Sequence, residues 1–129
     1  MTRVEIAVEA VVNPTESVEK VERAVRNVLG DVDLKQHTRG NTTVLECHMN
    51  GVESLRHLRE QLRRARIRGA ARALLTRSTQ GSTLIFGLNR QAAYAGRVSF
   101  YHSREAPLGP IKITIRGDVD AAIRYLCEQ

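Results

Sequence analysis

The chain has 129 residues, 42% hydrophobic and 26% charged, a balance that suits one globular domain with a buried core and excludes a disordered tail. No apolar run approaches the roughly 18 residues of a membrane span. Cys47 and Cys127, without a CxxC spacing, are too few for a disulfide scaffold and are expected as ordinary thiols on buried faces. The formal charge is +6 with an isoelectric point near 10.0, which favours anionic partners.

Residues 2–12 alternate Val4, Ile6, Val8 and Ala10 and read as a strand half buried on one face. The alternation begins at once, without the apolar stretch and cleavage site of a signal peptide, so a cytoplasmic location is expected. Asn13-Pro14-Thr15-Glu16 reads as a helix start: Asn caps, Pro fits the first helical position, and the Glu16 carboxylate reaches back to the cap amide. That helix is expected to run to about Leu29, burying Val18, Val21, Val25 and Val28, and to end at Gly30. Residues 31–38 and 42–49 read as strands joined by a tight turn at Gly40-Asn41, with Val44, Glu46 and His48 facing away from Leu45, Cys47 and Met49.

Helical spacing returns at Val52, Leu55, Leu58 and Leu62, then at Ile67, Ala70, Ala71, Leu74 and Leu75. On one straight helix Ile67, Ala70 and Leu74 would lie roughly 120° around from Leu55, Leu58 and Leu62, so two helices with a break near residues 63–66 are expected. Residues 83–88, 97–102 and 111–116 read as strands, the last two bracketing the turn-forming Pro107-Leu108-Gly109-Pro110. Asp118 is placed to cap a final helix that buries Val119, Ala122, Ile123 and Leu126. The order is strand, helix, two strands, two helices, three strands and a helix. It predicts a single α+β domain over residues 1–129, with one mostly antiparallel sheet covered by helices.

Arginine outnumbers lysine 17 to 3, and its placement is the most informative feature of the chain. Residues 54–77 hold Arg56, Arg59, Arg63, Arg64, Arg66, Arg68, Arg72 and Arg77 against Glu60 alone, a local charge of +7, while the rest of the chain stands at −1. The guanidinium fork suits bidentate contact with phosphate. The elbow between the two expected helices, with Arg63, Arg64 and Arg66 at its turn, is therefore the candidate anion site. The plainer alternative is a solvated helix face or a dimer seam.

Four stretches then form a recognisable set: Asn13-Pro14-Thr15-Glu16, the Arg-Arg-x-Arg-Ile run ending at Ile67, Leu88-Asn89-Arg90-Gln91-Ala92-Ala93, and Pro107-Leu108-Gly109-Pro110-Ile111. Together they resemble the archaeal uncharacterised protein family 0201 across nearly the whole chain. The Leu-Asn-[Lys/Arg]-Gln-Ala-Ala and Pro-Leu-Gly-Pro-Ile segments are the specific part, with Arg90 standing where lysine is expected. The resemblance implies RNA binding, association with the exosome, and a fold similar to that of the ribosomal protein that binds five-S ribosomal RNA. It implies no catalytic residues.

Asn89 is expected to cap a short helix containing Gln91 to Tyr94, while Arg90 and Gln91 are candidates for RNA contact. His37, His48, His57 and His102 lack the spacing of a metal site, and no Walker loop, GxGxxG or GxSxG motif occurs. No metal, cofactor or catalysis is expected. Of five aromatics, Phe86 and Phe100 suit the core and Tyr101 is the candidate to stack one base, too few for extensive readout of a single strand. Structured RNA is the expected partner, within an RNA-processing or ribosome-related assembly and with a homodimer as a further expectation. The rival readings are a homodimeric scaffold pairing these arginines with Glu19 and Glu22 of another subunit, and an enzyme holding a phosphorylated metabolite between Arg66, Arg90 and a carboxylate.

Overall fold

The computed structural model describes residues 3–102 and 108–128. Strand β1 (Val4–Val12) is followed by helix α1 (Val18–Leu29) and the hairpin β2 (Lys35–Arg39) and β3 (Thr42–Asn50). A 3-10 turn (Val52–Leu55) leads into α2 (Arg56–Ala65) and α3 (Arg68–Arg77). Then come β4 (Thr79–Gln80), β5 (Thr83–Leu88), the short helix α4 (Arg90–Tyr94), β6 (Ile111–Gly117) and α5 (Val119–Cys127). The strands form one sheet in the order β2-β3-β1-β6-β5-β4, every neighbouring pair antiparallel. This is the expected α+β architecture.

Alternation divides the sheet into two unlike faces, because successive side chains on a strand point to opposite sides. Val8 pairs with Cys47 and Ile113, Ala10 with Leu45 and Ile111, and Leu84 with Ile115, so apolar residues share one face across four strands. That face belongs to the same core cluster as Val21, Val25 and Val28 of α1, Leu58 and Leu62 of α2, Leu75 of α3 and Ile123 and Leu126 of α5. The other face carries Glu5, Glu9, Glu46, His48, Lys112 and Arg116, with Arg39 reaching Glu9 at 3.7 Å. The core helices α1, α2, α3 and α5 therefore pack on one face of the sheet, and none of them covers the second.

Several elements differ from expectation in their bounds. Helix α1 starts at Val18 behind Ser17, whose hydroxyl accepts from the Lys20 amide, four residues later than the Asn-Pro-Thr-Glu motif suggested. The motif forms a turn instead, closed by the Glu16 amide donating to the Asn13 carbonyl at 2.9 Å. Its reach-back is still made: Glu16 Oε1 accepts from the Asn13 amide at 3.0 Å. Residues 31–34 do not join a strand; β2 begins at Lys35, and the two-residue loop Gly40-Asn41 closes the hairpin with Gly40 at φ +64°. The expected strand at 97–102 reduces to a bridge between Phe100 and Leu88, with the Tyr101 amide donating to the Gly87 carbonyl. Asn89 caps α4 and Asp118 caps α5 as expected. Pro107 lies outside the described residues.

The break between α2 and α3 is the feature that positions the arginines. Leu55, Leu58 and Leu62 are at most 1% exposed, and each contributes roughly 1.5–3 kcal/mol by leaving water. Continuing straight would swing the next apolar set out of the core. The chain instead turns at Arg66, in the left-handed region at φ 58° and ψ 38°. Its amide donates to the Arg63 carbonyl at 3.1 Å, and that of Ile67 to the Leu62 carbonyl at 3.4 Å. These two bonds close a Schellman-type end. Helix α3 then packs Ala71 and Leu75 inward with no exposed area.

Candidate nucleic-acid interface

The inward turn of two leucine stripes leaves the polar sides of α2 and α3 facing solvent, and these sides are arginine. Arg56, Arg59, Glu60, Arg63 and Arg68 line an open cleft of about 610 Å³. Arg64, Arg66 and Arg72 are exposed on the same helical elbow, while Arg77, at the far end of α3, lines a separate pocket with Val98 and Phe100. Among the described residues the acidic group in the cleft wall is Glu60, whose carboxylate accepts hydrogen bonds from Arg63 and lies 3.6 Å from Arg64 Nε. The Arg63 hydrogen bond, reinforced by the charges of Arg63, Arg64 and Arg59, holds the Glu60 carboxyl below its ordinary value.

The C-terminal end of α5 orders two more of the arginines. Arg72 pairs with Glu128 at 2.7 Å, and the Arg59 guanidinium lies 4.8 Å from the ring centroid of Tyr125 while donating to the Glu128 carbonyl at 3.4 Å. Among the described residues, Arg56, Arg66, Arg68 and Arg77 have no carboxylate partner. The cleft thus combines guanidinium groups held in place with others free to meet an anion, at the surface where their charge is available.

Arg90 is not part of this surface, and its candidacy for RNA contact is corrected by its burial. It is 4% exposed, and its guanidinium donates to the carbonyls of Gly109 (2.6 Å), Val11 (2.6 Å) and Pro110 (3.0 Å) and to the Glu16 carboxylate (3.0 Å). With its donors spent inside the protein it is a strut that ties α4 to the end of β1 and to the segment before β6. Gln91, on the same helix, is exposed. Helix α4 packs on α1, and Arg90 and Gln91 line a cleft that shares no residue with the arginine cleft. Arg66 and Arg90 do not come together as a metabolite clamp would require.

Both cysteines are buried and free. Burial, with the Asp33 charge adding to it and Arg26 opposing, pushes the Cys47 thiol up to about 11. Burial likewise raises Cys127. Neither offers a thiolate near neutral pH. Phe86 and Phe100 pack edge to face at 6.1 Å, as core residues do. The exposed ring is Tyr94, which sequence spacing placed only inside a short helix; Tyr101 is half-buried.

A family model described as RNA binding matches residues 5–117. A UPF0201 protein of Sulfurisphaera tokodaii is 41% identical over 128 residues, covering 98% of this chain and 87% of the relative. One of Aeropyrum pernix is 43% identical over 116 residues, covering 88% and 77%. The crystal structure of the UPF0201 protein from Methanococcus jannaschii aligns with a TM-score of 0.82 at 29% identity, covering 95% of this chain and 98% of that one. With sequence, family model and fold in agreement, the chain belongs to the archaeal UPF0201 family of RNA-binding description.

Proposed function

We propose that the protein binds structured RNA through the α2–α3 elbow and does so without catalysis, in the setting of an RNA-processing or ribosome-related assembly in the cytoplasm. The observation that carries this reading is the cleft lined by Arg56, Arg59, Arg63 and Arg68, flanked by Arg64, Arg66 and Arg72, within a segment of charge +7. Such a surface neutralises several phosphates at once and releases their counterions. The family description of RNA binding supports the same partner. Few aromatic side chains are available for stacking, so recognition of backbone and shape outweighs base readout.

The test is affinity for an RNA hairpin across a salt series, comparing the wild type with Arg63→Ala/Arg66→Ala/Arg68→Ala. Each phosphate contact contributes roughly 0.7 to 0.9 to the slope of log affinity against log salt. The triple variant is therefore expected to flatten that slope by about 2 to 3. Absence of binding to structured RNA even at low salt overturns the reading, and an unchanged slope removes the elbow from it.

A further inference from the structure

Among the large apolar side chains described, two are exposed: Ile85 on the open sheet face, and Tyr94, 41% exposed, at the end of α4. Tyr94 forms one side of a cleft of about 370 Å³ between α4 and the start of α1. Val21 and Ala24, at most 4% exposed, form its floor, and Ser17, Lys20, Gln91 and Glu16, the last neutralised by Arg90 at 3.0 Å, stand around it. The Lys20 ammonium lies 6.0 Å from the Tyr94 ring centroid. No carboxylate among the described residues pairs with Lys20, and the nearby Glu19 carboxylate accepts from the Ser17 hydroxyl at 3.0 Å.

The walls of this cleft are held from behind. Arg90 anchors the start of α4 through its bonds to Val11, Gly109 and Glu16. Asn27 of α1 donates from Nδ2 to the carbonyls of Ala93 at 2.9 Å and Tyr94 at 3.3 Å, fixing the other end of the helix. An exposed ring on a fixed backbone loses little entropy when a flat group stacks on it. Ligand clefts span roughly 300–1,000 Å³, and this one stands at the small end, suited to a single ring system with its attached charge.

We propose that this cleft receives one unpaired nucleobase of the bound RNA, stacked on Tyr94, with its phosphate beside Lys20 and the Gln91 amide at the base edge. The proposal rests on the RNA-binding reading and adds a second point of contact, specific for an unpaired base, to the elbow's grip on backbone phosphates. A primary amide carries both donors and an acceptor, so Gln91 is equipped to meet the edge of a base. Stacking on an aromatic face tolerates any base, so the preference is for an unpaired base over a paired one more than for a given letter.

The test compares two RNA duplexes, one blunt and fully paired and one identical except for a single bulged adenosine, against the wild type, Tyr94→Phe and Tyr94→Ala. The wild type is expected to bind the bulged duplex about tenfold more tightly. Tyr94→Phe keeps that preference, Tyr94→Ala erases it, and the blunt duplex binds all three proteins alike, which also reports that the variants are folded. If the blunt duplex binds but the bulge adds nothing, or the preference survives in Tyr94→Ala or is lost in Tyr94→Phe, the cleft assignment fails while the RNA reading stands. If neither duplex binds at low salt, the RNA reading fails and takes this proposal with it.

Discussion

Arg66 holds a left-handed backbone conformation at the end of α2, the position where glycine is the usual residue. A side chain there costs about 1 kcal/mol relative to glycine. Arg66→Gly is therefore expected to stabilise the fold by about 1 kcal/mol, measured as a rise in denaturation midpoint, while weakening RNA binding and lowering the salt slope by roughly 0.7 to 0.9. A gain in stability without loss of binding would leave the arginine side chain unexplained by RNA contact. Arg90 teaches the opposite lesson about what one letter reveals. In sequence it stands beside Gln91 in a motif that invites a ligand, yet its carboxylate partner Glu16 is 74 residues away and only folding brings the two together. The charge of Arg90 was legible and its burial was not, because burial is decided by long-range contacts that no local pattern records.

At the scale of elements, periodicity marks β1 and the break between α2 and α3, while element ends and the inner face of α3 depart from it: Ala71 and Leu75 are buried, whereas Ala70 is exposed. The α2–α3 break was legible because two leucine-rich stripes cannot both face one core on a straight helix. The start of α1 was misplaced because two capping signals follow each other: Asn13 and Glu16 satisfy one another in a turn, and Ser17 then caps the helix itself. The segment 97–102 has strand composition but finds partners only around the Leu88–Phe100 bridge. Within α2, Glu60 is the internal competitor of any bound phosphate. Ionised at neutral pH like any glutamate, and held there more firmly by Arg63, it occupies Arg63 and offsets one positive charge. Glu60→Gln keeps the side-chain shape and removes that charge. Solvent-exposed helix pairs of this kind are weak, so thermal stability is expected to fall only slightly. RNA affinity at low salt is expected to rise, with a steeper salt slope. Weaker binding by Glu60→Gln would instead mean that the carboxylate orients Arg63 for its contact.

For the molecule as a whole, the asymmetry of charge matches the asymmetry of layers. The helical side carries the arginine cleft, and the other sheet face interleaves Glu5, Glu9 and Glu46 with Lys35, Arg39, Lys112 and Arg116, so uncompensated positive charge is concentrated at the helical elbow. A protein with an isoelectric point near 10.0 attracts polyanions through net charge alone, and the elbow reading requires more than that. Lys112 and Arg116 provide the control: both are exposed on the open face, opposite Glu9 and Glu5 in the strand register. Lys112→Ala/Arg116→Ala removes two positive charges, as does Arg63→Ala/Arg68→Ala, and neither pair lies in the hydrophobic core. If phosphates dock at the elbow, the first pair leaves the salt slope within about 0.3 of wild type while the second lowers it by roughly 1.4 to 1.8. Equal losses from both pairs would show attraction without a site, because long-range fields respond to total charge whereas counterion release responds to the contacts made.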